Sequence, residues 1–161
     1  MRTVEGCRIG TLPMQELMDQ GEPVLLRGVA GEWPLVAAGQ RSTLDAMAYL
    51  RRLDSGRPVQ YSFGAPEING RPFYNEDFSA LNFEVRRGAL GQVLDELSTH
   101  LEDPTPPTYY IASLLVESAL LGFIQDNDLR LAEQDIHAPP SIWIGNRVVA
   151  SCHFDAPNNV A

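Results

Sequence analysis

An α+β fold with a mostly antiparallel sheet is predicted by two kinds of pattern and by their order along the chain. Leu90, Val93, Leu94, Leu97 and Leu101 recur at the 3.6-residue period of a helix, between Gly88 and the stop Asp103-Pro-Thr-Pro-Pro107. Tyr109-Tyr-Ile-Ala-Ser-Leu-Leu-Val116, Ser141-Ile-Trp-Ile144 and Val148 to Phe154 are short runs rich in aromatic and branched residues, as strands are. Helical patterns dominate early and strand patterns late, which favours α+β over alternating βαβ units.

The earlier elements follow in order. Thr11 is placed to cap a short helix that Gly21 closes, with Pro13 near its first turn. Pro23 to Val29 reads as a buried strand, and Gly31-Glu-Trp-Pro34 as a turn. Ser42 or Thr43 caps a second helix running to Leu53, with Leu44, Met47, Ala48 and Leu50 on its apolar face. Val59 to Phe63 is a short alternating strand. Asn69-Gly70 is a hairpin-type turn, with Arg71 to Asn75 extended beyond it. Arg86-Arg87 reads as the start of a solvated helix face. A short helix or turn region is expected over Glu117 to Leu131, and Gly145-Asn-Arg147 turns between the last two strands.

Composition narrows the function. The 161 residues suffice for one domain, and the formal charge is −9 at pH 7. That balance argues against broad nucleic-acid or anionic-membrane binding, which need a basic surface. All 12 basic residues are arginine, so Schiff-base chemistry and a P-loop lysine are excluded. No apolar run approaches the ~20 residues of a membrane span, and no apolar signal core follows Met1. Cys7 and Cys152 form no metal or redox motif; two lone thiols without a signal fit a cytoplasmic protein.

His153-Phe-Asp155 is the strongest candidate for chemistry. On a strand, residues i and i+2 share a face, so an imidazole and a carboxylate would converge as in a 2-His-1-carboxylate iron site. Chance alone produces an H-x-D in about one chain in five of this composition, so context must discriminate. His100-Leu-Glu102 is an internal contrast: it falls at a helix end, where residues two apart diverge. His137 reads as loop, and Trp143 as core.

The context is Trp143-Ile-Gly145, then His153-Phe-Asp155, then Asn159 six residues after the histidine. Upstream lie Pro23 to Pro34, Phe73-Tyr-Asn75 and Tyr109-Tyr-Ile-Ala-Ser-Leu114. This order resembles the cupin-like branch of the JmjC-type Fe(II)- and 2-oxoglutarate-dependent oxygenases, over roughly Leu12 to Ala161. The resemblance implies a single cupin-like domain portion. Residues 1–107 are an α+β lead-in, and 108–161 are the first strands of a double-stranded β-helix, the cupin jelly roll. It implies His153 and Asp155 as iron ligands and Asn159 beside the cosubstrate. It also implies Tyr110, with Tyr109 as the other candidate, at the 2-oxoglutarate carboxylate. Where many relatives carry a threonine this chain has Ala150, and Ser151 is the only hydroxyl neighbour.

The family's second histidine and its basic cosubstrate anchor lie downstream of H-x-D, and neither is in this chain. Asn158-Asn-Val-Ala161 also ends just after a strand on an apolar residue. These features predict the N-terminal portion of such a protein, or a truncated and inactive relative. The substrate expected of an oxygenase is a protein side chain or a small molecule. A homodimer is plausible through unpaired late strands. The alternative is a non-catalytic cupin-like binding or interaction module; a cupin metal enzyme independent of 2-oxoglutarate is a third reading.

Overall fold

The computed structural model describes residues 1–127 and 139–153. The chain forms two compact units: Met1–Arg57 with Leu115–Ile142, and Pro58–Leu114 with Trp143–Ala161. The α+β class with antiparallel pairing is what the described residues form.

In the first unit, β1 (Arg2–Val4) pairs in parallel with β2 (Val24–Leu26). β2 is three residues long and only part-buried, not the buried strand expected from Pro23 to Val29. α1 spans Met14–Gln20, whereas Thr11 belongs to a preceding single 3-10 turn and bonds the Arg8 carbonyl, so it is not the cap. α2 (Pro34–Arg41) has no counterpart in the sequence reading; Pro34 supplies the fixed φ of a first helical turn.

α3 (Thr43–Leu53) begins where expected. Ser42 is its N-cap, and its hydroxyl accepts from the Asp45 N–H at 3.0 Å. Its buried face is centred on Tyr49 and Leu50, while Leu44 and Ala48 are exposed. That rotation is set by α6 (Phe123–Asp126), which follows α5 (Val116–Ala119). Phe123 meets the Tyr49 ring edge-on at 6.4 Å. Asn127, fully buried, completes the packing: its Oδ1 accepts from Leu35 N at 3.1 Å, and its Nδ2 donates to Tyr49 Oη at 2.7 Å and Phe123 O at 3.0 Å. One amide therefore ties the starts and faces of three helices together.

The second unit is built on a four-stranded sheet in the order β4-β3-β5-β6. Its strands are β3 (Val59–Gly64), β4 (Glu84–Gly88), β5 (Thr108–Leu115) and β6 (Ser141–Gly145). β3 runs antiparallel to both neighbours, with Phe63 opposite Glu84 on one side and Tyr109 on the other. Arg86 and Arg87 lie in β4, not on a helix, and the Arg86 guanidinium sits 3.6 Å over the Phe63 ring. Asn69-Gly70 does turn with positive φ at both residues, but it closes a 3-10 turn instead of a hairpin, and Arg71 to Asn75 adds no strand to the sheet. α4 (Leu90–Thr99) buries Leu90, Val93, Leu94 and Leu97 of the predicted stripe, while Leu101 lies beyond the helix end and is part-buried; Glu96 on the same helix takes the Tyr109 hydroxyl of β5.

Two further expectations are corrected. Trp143 is 53% exposed, because it sits on the outer face of a strand at the sheet edge. Residues 148–153 form no strand. After β6, Arg147 takes a left-handed φ of 46°, and the Val149 N–H donates to Gly70 O at 2.8 Å. The chain is thereby held on the 66–70 turn and does not return along β6.

Candidate functional site

The site read from the sequence draws on β5 and on the segment after β6. Alternation along β5 separates the two tyrosines. Tyr109 is committed to the helix-covered face: its hydroxyl donates to Glu96 Oε2 at 3.1 Å, its ring stacks on Tyr61 at 6.1 Å and His100 lies over it at 6.3 Å. Tyr110, opposite Ser62 of β3, is half-buried, and burial pushes its phenol above the ordinary tyrosine range. A Cβ at Gly145 would lie 3.0 Å from the Tyr110 ring and 2.8 Å from Tyr109 O, so only glycine lets β6 approach this closely.

Asn146 then pins the turn to the start of β5. Its Oδ1 accepts from Tyr109 N at 2.9 Å, and its Nδ2 donates to Pro107 O at 2.9 Å. The sequence reading treated Asn146 as a turn residue only. Its signal was available: an asparagine directly after a strand-ending glycine can replace a strand's own backbone partner.

Beyond the turn, Ser151 is half-buried and His153 is exposed. The Nδ1 of His153 lies 2.7 Å from Ser151 O, a contact that requires the proton on Nδ1 and places the neutral ring's lone pair on Nε2. That tautomer is the one a metal-ligating histidine needs, with the other nitrogen fixed by a backbone carbonyl. Ser151 meets the histidine through its backbone carbonyl. The strand geometry used to align His153 with Asp155 does not hold at His153, whose backbone is irregular. Asp155, Asn159 and His137 lie outside the described residues. Among the described residues, no group of three or more His, Cys, Asp or Glu side chains converges to hold a metal. The histidine's tautomer fits Fe(II), and among the described residues His153 is the one of the expected donors that would hold it.

His100, the contrasting histidine, caps the end of α4 and pairs its Nδ1 with Asp103 Oδ2 at 3.1 Å. The Thr105 backbone N–H, and then His100, hold the Asp103 carboxyl below the usual carboxylate range. This cluster serves the end of the helix and the Tyr109 ring.

Fold and site together define a mixed α+β domain whose candidate side chains leave one sheet, from β5 and from the turn after β6. The chain belongs to the cupin-like domain family, whose model matches residues 11–161. No curated protein and no solved structure matches it. Among the described residues, no helix is long and apolar enough to cross a membrane.

Proposed function

We propose that this cupin-like chain carries part of the centre of an Fe(II)/2-oxoglutarate-dependent oxygenase of the hydroxylase type. The observation that supports the reading is the 2.7 Å contact between His153 Nδ1 and Ser151 O, which sets the imidazole tautomer for ligation through Nε2. In this reading His153 and Asp155 hold the metal. Tyr110, from the face of β5 that Tyr109 does not occupy, and Asn159 orient 2-oxoglutarate, and Ser151 fixes the histidine. Bound iron and 2-oxoglutarate together would supply the oxidising chemistry; the chain would supply geometry and the tautomer of the ring. The substrate is a protein side chain or a small molecule.

The test is the visible spectrum of the 161-residue chain under anaerobic Fe(II), with and without 2-oxoglutarate. A charge-transfer band that needs both, and that is lost in His153→Ala and Asp155→Ala, is the expected result. A band with iron that ignores 2-oxoglutarate indicates a cupin metal centre of another type. Spectra identical in wild type and both variants would leave the non-catalytic binding module as the better reading.

A further inference from the structure

Phe73, Tyr74, Phe78 and Leu81 stand together on the loop that leads into β4, and all four are exposed, Phe78 by 68%. The three rings touch one another. The Phe73 centroid lies 5.3 Å from that of Tyr74 and 6.3 Å from that of Phe78, and Tyr74 lies 6.1 Å from Phe78. A lone exposed ring is ordinary, whereas joined apolar side chains on a surface mark a place of interaction.

The loop holds the rings in place. Tyr74 and Leu81 form an antiparallel bridge, the Asn75 N–H donates to Ala80 O at 2.8 Å, and the Asn82 N–H donates to Phe73 O at 2.9 Å. The Asn82 side chain closes the base: its Oδ1 accepts from Phe73 N at 2.8 Å, and its Nδ2 donates to Arg71 O at 3.0 Å. Phe78 has a φ of 57°, in the left-handed region that a bulky side chain rarely adopts. The cluster is therefore presented by a bonded backbone, with strain kept at its most exposed ring.

Charge selects the occupant. Glu76 and Asp77 are exposed at the tip, between Tyr74 and Phe78, and residues 75–80 include no basic side chain. Glu76 makes no hydrogen bond or ion pair among the described residues. Carboxylates beside the negative faces of aromatic rings attract a cation. The same charges repel an anionic lipid surface and the acidic tip of a second copy. The chain's own arginines display the pairing: the Arg86 guanidinium lies 3.6 Å over the Phe63 ring, and that of Arg52 lies 5.0 Å over Tyr49. Among the described residues, no cation covers the rings of Phe73, Tyr74 or Phe78.

We propose that this aromatic loop docks a basic segment of a partner protein, which lays arginine or lysine side chains across the Tyr74 and Phe78 rings beside Glu76. The docking does not depend on the iron reading, which assigns none of these residues to the metal or to 2-oxoglutarate.

The experiment is calorimetric titration of the 161-residue chain at low salt with a synthetic peptide of alternating arginine and glycine. The control is the same peptide with glutamine in place of arginine. The arginine peptide binds and the glutamine peptide does not. Phe78→Gly leaves the charge unchanged and suits the left-handed backbone, so the variant unfolds at the wild-type temperature or above. It binds the arginine peptide at least about fivefold more weakly, the loss of one cation–π contact. Glu76→Gln also weakens binding and makes it less sensitive to salt. The proposal is overturned if the arginine peptide does not bind, or if the glutamine peptide binds equally. It is also overturned if Phe78→Gly binds as wild type does, because the acidic chain then attracts the peptide elsewhere. Light scattering and flotation with phosphatidylserine vesicles address the other occupants. A dimer, or vesicle binding, that Phe78→Gly abolishes overturns the proposal in favour of a second copy or a membrane. Should Phe78→Gly not fold, Glu76→Gln at an exposed position carries the test, and wild-type affinity in that variant overturns the proposal.

Discussion

The hydroxyl of Tyr109 donates to Glu96 Oε2 across 3.1 Å, joining β5 to α4 by a charge-assisted hydrogen bond beneath a stacked Tyr61 ring. Because Tyr109 is 8% exposed, removing the hydroxyl leaves packing intact and deletes the bond alone. Tyr109→Phe is expected to lower stability by about 1–2 kcal/mol in denaturant titrations, and Glu96→Gln by less.

Alkaline pH reads the same tyrosines. Tyr49, Tyr109 and Tyr110 all have phenols raised above their ordinary value, in each case first by burial; Asp126 adds to the rise at Tyr49 and Glu96 at Tyr109. Unfolded tyrosine ionises near pH ~10. The unfolded chain therefore loses these protons first, and the stability they contribute is complete below that pH and disappears as pH rises through the folded values. Denaturation midpoints should fall steeply above pH ~10, and Tyr110→Phe should make the fall shallower. A flat profile would show that these phenols ionise alike in both states.

Asn127 is the buried polar hinge of the first unit. Asn127→Leu keeps the branched shape but adds volume and strands the Leu35 N–H, while the Phe123 carbonyl keeps the Asn127 backbone N–H and the Tyr49 hydroxyl keeps Asp126. A loss of about 1–3 kcal/mol is expected by chemical denaturation. A change under about 0.5 kcal/mol, typical of surface substitutions, would contradict the network.

Two glycines with the same backbone sign should respond differently. Gly21 and Gly70 both have φ between 60° and 75°, but a Cβ at Gly21 meets open space while one at Gly70 runs into the Arg147 carbonyl. Gly21→Ala should cost only the left-handed backbone penalty, about 1–2 kcal/mol. Gly70→Ala should cost clearly more, because backbone must move, and differential unfolding of the two variants measures the gap.

The legible parts of this fold were those carried by local chemistry. The Ser42 cap, the leucine stripe of α4 and the aromatic run of β5 announce themselves through side-chain period and capping. What escaped depends on tertiary partners. Glu84–Gly88 has a polar, basic sequence and is a strand because β3 pairs with it, while Phe63 takes the Arg86 guanidinium on its face. The helical face of α3 is turned toward Tyr49 by Phe123 and Asn127, more than 70 residues away. At the candidate site, the H-x-D motif and Tyr110 were visible as residue types. The backbone that carries His153 was not, because the diversion after β6 rests on Val149 bonding Gly70 and on Asn146 bonding Pro107.

In the proposed function His153 ligates the metal through Nε2. Anaerobic calorimetry of Fe(II) binding to the wild type and to His153→Ala tests it most directly. Removal of a protein donor is expected to weaken Fe(II) binding at least about tenfold in the variant. Equal affinity in wild type and His153→Ala would contradict it.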